Sequence, residues 1–163
     1  MRRKDRKMDR AFGLEVIDRC QYAVMSAVLP DGNPYGVPLS MVRIGGQLYF
    51  HCAQAGKKLD ALRHNPRVSV ACVGHVRPLT NDFTTEYESA LVTGKAIRVE
   101  DEEEKIRALR ATCLRYTPDN MDQFDAAIAR SLHRTDVWKI DMEEITAKRK
   151  KYDADGKEIK SNL

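Results

Sequence analysis

The sequence predicts a mostly β fold, a small antiparallel barrel with helices packed outside it. Three observations carry that expectation. Short apolar, β-branched stretches recur along the chain; Pro30-Asp31-Gly32-Asn33 and Gly45-Gly46 join the first three as hairpins; and consecutive strands lack the helical crossovers that a parallel sheet needs. The length of 163 residues suits one domain able to bury most of its apolar surface.

The elements follow in order. Residues 1–10 form a charged arm, and 13–19 read as a short helix. Residues 21–29 and 34–44 read as strands, although Gly36 and Pro38 are unusual in a central strand. Residues 47–53 form a third strand, with Leu48, Phe50 and Cys52 on one face and Tyr49, His51 and Ala53 on the other. A helix over 57–64 carries Leu59 and Leu62 and stops at Asn65-Pro66. Strands at 67–76 and 83–99 come next, the second with a break or bulge expected at Gly94. Asp101 and Glu104 form a capping box for a helix over 102–116, whose apolar side is Ile106, Leu109, Cys113 and Leu114. Thr117-Pro118 ends it; a further helix covers about 121–132, a last strand 135–141, and the chain from Glu143 reads as a loose polar tail. The expected organisation is thus an arm (1–10), one domain (11–145) and a tail (146–163).

Composition narrows the function classes. Hydrophobic residues make up 42% and charged residues 32% of the chain, and no apolar run is long enough to span a membrane. The net charge of +4 is gathered at the two ends, Arg2 to Lys7 and Lys148 to Lys151, which is a poor footprint for nucleic-acid binding. The basic start is followed by no apolar segment of the secretory kind. Four cysteines, Cys20, Cys52, Cys72 and Cys113, fit no zinc spacing; as free thiols they point to a reducing cytoplasm. His64, His75 and His133 do not complete a metal pattern, and Asp153-Ala154-Asp155-Gly156 reads as a turn without calcium-loop spacing. GxSxG, Walker and GxGxxG patterns are absent.

What remains is Gly56-Lys57-Lys58. A helix start offers free backbone N–H groups and partial positive charge, and lysines add full charge, which together suit a phosphate; an ordinary solvated helix start is the alternative. His51 precedes Lys57 by six residues, so both can border one pocket. Alternation places Thr85, Tyr87 and Ser89 on one strand face, where hydroxyls suit a phosphate or polyol as well as a solvated edge. Trp138, the only tryptophan, is a core or dimer anchor by default.

Several stretches carry a resemblance: MRRKDRKM, NPYGVPLSMV, LYFHCAQAGKKLDALRHNPRVSVACV, TTEYESALVTGKAIRV and VWKIDMEEITAKRKK. In this order the sequence resembles the flavin-binding split-barrel proteins related to pyridoxamine 5′-phosphate oxidase, in the nitroimidazole-resistance-like branch. The usual ITGK near the end reads ITAK here, with Ala147 in place of glycine. The resemblance implies a six-stranded antiparallel split β-barrel with peripheral helices, a homodimer with FMN at the subunit interface. It implies that Lys57 and Lys58 meet the FMN phosphate and that Pro38, Leu39 and Ser40 lie along the isoalloxazine. His51 would line the flavin pocket as the candidate catalytic residue, Tyr87 and Ser89 would serve the ribityl-phosphate end, and Trp138 would approach from the second subunit. The implied activity is electron transfer from reduced flavin to a small nitroaromatic, quinone or pyridoxine-like acceptor, with NADH or NADPH as candidate donor. A non-catalytic flavin- or haem-binding carrier or sensor is the alternative.

Overall fold

The computed structural model describes residues 2–161, and among them four α-helices lie on one antiparallel sheet. In chain order the elements are β1 (Lys7–Met8), α1 (Arg10–Arg19), β2 (Ala23–Val28), β3 (Pro34–Leu39), β4 (Val42–Ile44), β5 (Gln47–Cys52), α2 (Lys57–His64), β6 (Arg67–Leu79), β7 (Thr84–Arg98), α3 (Glu102–Tyr116), α4 (Phe124–Ser131) and β8 (Asp136–Lys150). The sheet order is β3-β2-β6-β7-β8-β5-β4, with β1 added along β8. The six strands expected from the sequence are present; the second is divided, and the arm adds β1.

That division explains the shape. β3 and β4 lie at opposite edges of the sheet, yet only Ser40 and Met41 separate Leu39 from Val42. Three Cα steps reach about 11 Å at most, whereas seven strands laid flat would be roughly 29 Å across. The sheet must therefore roll until its edges nearly meet, which is a barrel split between β3 and β4. Met25, Leu48, Phe50, Val70, Val92, Trp138 and Ile140 fill its core.

Helix α1 begins earlier than its apolar pattern suggests, because the Asp9 carboxylate accepts from the Phe12 N–H at 2.8 Å. The largest departure is β8. Instead of ending at 141 before a loose tail, the strand continues to Lys150. Its polar residues belong to a strand covered on one side only. The cover is α1, whose Gly13 lies so close that a Cβ there would meet Ile145 Cγ2 at 2.8 Å. The arm is drawn in too: Lys7 and Met8 pair with Lys148 and Ala147, and Arg6 Nε donates to Glu158 at 2.6 Å.

A bulge forms opposite Gly94, but on β8 and not on β7, where a break or bulge is expected. Thr93 faces Glu144 and Gly94 faces Met142, leaving Glu143 as the extra residue. A Cβ on Gly94 would lie 2.0 Å from the Asp141 carbonyl oxygen, so only glycine fits. Helix α3 covers a second, smaller core of Val42, Tyr49, Val99, Ala108 and Val137 outside the barrel. It buries Ala108 and Thr112 rather than the expected stripe, and Leu114 is 56% exposed. Asp101 caps it at 2.7 Å, but Glu104 turns away to accept from Tyr49 Oη at 2.6 Å and Lys139 Nζ at 2.9 Å, so the capping box is half made.

Candidate cofactor site

The first turn of α2 is built as the sequence suggests. Gly56 takes φ +129°, a conformation that favours glycine, and its carbonyl accepts from the Leu59 and Asp60 N–H groups. No side chain caps the helix, so its first N–H groups keep bonding capacity. Lys57 is exposed, and neither Lys57 nor Lys58 belongs to an ion pair among the described residues. The Lys58 ammonium stands 5.3 Å from the centre of the Phe50 ring, so the barrel wall orients it. Lys57 is near enough to the first hairpin to help hold the Asp31 carboxyl below its usual range, behind the larger effect of the Asn33 N–H groups.

His51 closes β5 beside this turn. Its strand face divides in two: Tyr49 is buried under α3, while His51, past the helix, is exposed. Desolvation by its surroundings, then the Lys58 charge, lowers the imidazole pKa. His51 is therefore neutral near pH 7, a side chain with one donor and one acceptor. Beneath it, Arg98 grips the buried Asp136 at 2.8 and 3.0 Å, and the Trp138 indole N–H donates to the same carboxylate at 3.4 Å. That cluster ties β7 to β8 where His51 pairs with Val137. Sequence reasoning missed it; Arg98 and Asp136 are far apart in the chain, and only the register joins them.

The other expected residues are distributed as follows. Pro38 and Ser40 are exposed and Leu39 half-buried at the end of β3, an edge strand whose second side pairs with nothing among the described residues. A proline is tolerated there because an edge N–H is not needed for the ladder. Trp138 is only 5% exposed and sits in its own chain's core. Tyr87 and Ser89 lie opposite Lys150 and Lys148. They stand about a dozen residues along β7 from Val99, whose N–H bonds Val137 beside His51. That separation is roughly 40 Å of strand. Tyr87 borders an open cavity of about 330 Å³ with Arg19, His75, Glu88, Arg149 and Lys151. The signal for this basic groove was the run Lys148 to Lys151, which by its sequence alone reads as a tail.

A rolled antiparallel sheet split at β3/β4, with its site residues at two ends, is the architecture on which the comparisons bear. The model for pyridoxamine 5′-phosphate oxidase matches residues 9–149. The chain belongs to the pyridoxamine 5′-phosphate oxidase family. Among solved structures it is similar to a candidate 5-nitroimidazole antibiotic resistance protein from Bacteroides thetaiotaomicron, at 26% identity and TM-score 0.75, covering 88% of this chain and 86% of that one. It is also similar to a conserved hypothetical protein of Mycobacterium tuberculosis (19% identity, TM-score 0.78, 91% and 89% covered). A third is an FAD- and haem-binding protein of Mycobacterium smegmatis (20% identity, TM-score 0.75, 98% and 84% covered). The last two show the fold alone. No curated protein matches the chain. Within the family's fold, β5 and α2 supply a histidine and two unpaired lysines at one end, and β7 supplies hydroxyls at the other. No helix among the described residues is long and apolar enough to cross a membrane.

Proposed function

We propose that this protein is an FMN-dependent oxidoreductase working as a homodimer. One observation carries the reading: two lysines that belong to no ion pair among the described residues stand at an uncapped helix start, next to an exposed histidine. A phosphate monoester fits that donor set, taking charge from Lys57 and Lys58 and hydrogen bonds from the first turn of α2. His51 would then stand beside the ring system and hold or pass a proton at an imidazole nitrogen. The backbone of Pro38, Leu39 and Ser40 on the open edge of β3 gives a flat ring a surface to lie along. Bound FMN would supply two-electron chemistry, hydride in from NADH or NADPH and electrons out to a small acceptor. The likeness to a candidate nitroimidazole-resistance protein favours a nitroaromatic among the acceptors, ahead of a quinone or a pyridoxine-like compound.

Distance supports the homodimer. Tyr87 and Ser89 are too far along β7 to share one mononucleotide with Lys57 of the same chain. A second copy brings its β7 hydroxyls to this chain's α2, and pairing also covers the open edges of β3 and β4.

Replacing Lys57 and Lys58 together with alanine tests the reading. FMN binding should weaken roughly tenfold or more while riboflavin, which lacks the phosphate, binds nearly as before. Equal losses for both ligands in a folded variant would reduce the lysines to surface charges. A second reading, a flavin or haem carrier without turnover, draws on the exposed neutral His51, which has the form a haem iron needs. The absorption spectrum of the purified protein separates haem from flavin, and anaerobic titration with NADH and NADPH separates a carrier from an enzyme.

A further inference from the structure

Two open cavities lie side by side where α1 ends, and Arg19 and His75 line both. The first, of about 450 Å³, adds Tyr22, Val73, Gly74 and Val76. The second, of about 330 Å³, adds Tyr87 and the cations Arg149, Lys150 and Lys151, at and just past the end of β8. Each has the size of a small-molecule site. A bulge shapes their junction. Val73 pairs with Ser89 and Val76 with Tyr87, so Gly74 and His75 share the stretch opposite Glu88 alone. Around it His75 is exposed, and Val73 and Val76 are 52% and 50% exposed; with Tyr22, at 57%, they form an apolar shelf. The charge in the groove is unbalanced. Its two carboxylates are already held: Glu88 accepts from Arg19 Nη2 at 3.1 Å, and Glu86 from Arg77 Nε at 2.7 Å and the Tyr152 N–H at 2.9 Å. Arg149, Lys150 and Lys151 belong to no ion pair among the described residues. Neutral groups hold two of them in place. The Arg149 guanidinium lies 5.5 Å from the centre of the Phe12 ring, and the Lys150 ammonium donates to the Thr84 hydroxyl and lies 5.4 Å from the centre of the Tyr152 ring. Cations without counter-ions in a concave wall draw in an anion.

The occupant that answers both halves of this groove carries several negative charges and a flat apolar part. An inorganic anion leaves the shelf bare, and an apolar ring leaves the cations unanswered. We propose that the groove binds the adenosine bisphosphate half of NADPH, with the adenine on the shelf of Tyr22, Val73 and Val76 and the phosphates against Arg149, Lys150 and Lys151. Aromatic and apolar contact serves the base, and charge-assisted hydrogen bonds serve the phosphates. The 2′-phosphate, which NADH lacks, gives the β8 cations a partner beyond the pyrophosphate, so the groove selects NADPH over NADH. The assignment as a donor site rests on the flavin reading above. In that homodimer the Tyr87 end of one copy meets α2 of the other, and a dinucleotide held here stands next to the other copy's flavin.

The test titrates adenosine 2′,5′-bisphosphate, which has both phosphates and no nicotinamide, into the flavin-free full chain by calorimetry. The expected result is saturable binding about tenfold or more tighter than that of 5′-AMP. Arg149→Ala with Lys151→Ala should weaken it about tenfold or more, and Tyr22→Ala by less, while Lys57→Ala with Lys58→Ala should leave it unchanged. No binding, equal affinity for 5′-AMP, or a loss in the Lys57 and Lys58 variant instead of the Arg149 and Lys151 variant would each overturn the proposal. Lys151 is exposed, so Lys151→Glu decides if the double variant loses its circular dichroism: weaker binding supports the site and unchanged binding overturns it. FMN binding, measured on the same preparations, keeps the two readings apart. Bisphosphate binding without FMN binding sinks the flavin reading and keeps the nucleotide groove; FMN binding without bisphosphate binding does the reverse. In the FMN-loaded protein the Arg149 and Lys151 variant should need more NADPH for half-maximal flavin reduction, with a smaller shift for NADH. Equal shifts for the two donors would overturn the assignment of the 2′-phosphate.

Discussion

The two ends of the long β7–β8 pair differ in how their charge is used. At the Tyr87 end charge is plentiful but much of it is paired: Arg19 with Glu88 at 3.1 Å, Arg77 with Glu86 at 2.7 Å, and Arg6 with Glu158 at 2.6 Å. The His51 end has fewer cations, yet Lys57 and Lys58 belong to no ion pair among the described residues and stand at an uncapped helix start. Under the function proposed above, the FMN phosphate goes to the end with fewer cations, where a helix start stands beside them. Charge left over after pairing is what attracts a ligand, and pairing is a property of the fold.

The change expected to do most harm strikes the junction between the ends. Gly94→Ala would press a Cβ to 2.0 Å from the Asp141 carbonyl oxygen. Backbone must move in both strands, and we expect a loss of about 4 kcal/mol or more. Chemical denaturation checks this, and a variant of unchanged stability would mean that the bulge relocates freely. Arg98→Ala comes next and separates the ends. It leaves the Asp136 carboxylate buried with only the Trp138 N–H, at a cost of about 2–4 kcal/mol given that Arg98 itself is partly exposed. The loss should be felt under His51, as faster hydrogen exchange at Val137 and Val99, and not at Tyr87.

Much of this comparison was legible in the residues. Helix α2 has the bounds expected from Gly56 and Asn65-Pro66, because both stops are local. The irregularity at Gly94 was legible from the glycine, but not that the extra residue would lie on β8. What failed was long-range. Glu143, Glu144 and the basic run after Ala147 look like a solvated tail, since nothing in their own sequence says that α1 will lie across the strand at Gly13. The Leu114 expectation failed because small residues, Ala108 and Thr112, let α3 approach the sheet more closely than its leucines would. The dispersal of the expected site residues over the two ends of one chain follows from register, which no stretch of sequence carries alone.

Acid offers a gentler separation. The Arg6 guanidinium holds the Glu158 carboxyl at about 2, below its ordinary 4.5. With the folded pKa depressed, the unfolded chain binds more protons between those values. The stability contribution is whole above about pH 4.5 and disappears as pH falls toward 2. We expect about 1–2 kcal/mol from it, discounted for partial exposure. Hydrogen exchange followed down this window should show β1 loosening from β8 before β5 does, and Arg6→Ala should flatten the dependence.

The smallest effect on stability, and the one most telling for function, is His51→Asn. His51 is exposed at the end of β5, past the cover of α3, and no hydrogen bond of the described fold depends on its ring. Removing it should change stability by less than about 1 kcal/mol, as for a surface change. Its pKa is lowered, so the folded state prefers the neutral ring; whatever stability it contributes is present above about pH 6.5 and lost as pH falls through the lower folded value. A bound flavin would read the change differently. If His51 stands at the ring, the asparagine variant shifts the flavin spectrum or slows its reduction and removes a pH dependence below neutrality, with melting unchanged. A histidine that merely completes the fold gives the reverse, a lower melting temperature and an unaltered spectrum. Measuring both on one sample distinguishes a group that acts at the cofactor from one that only borders it.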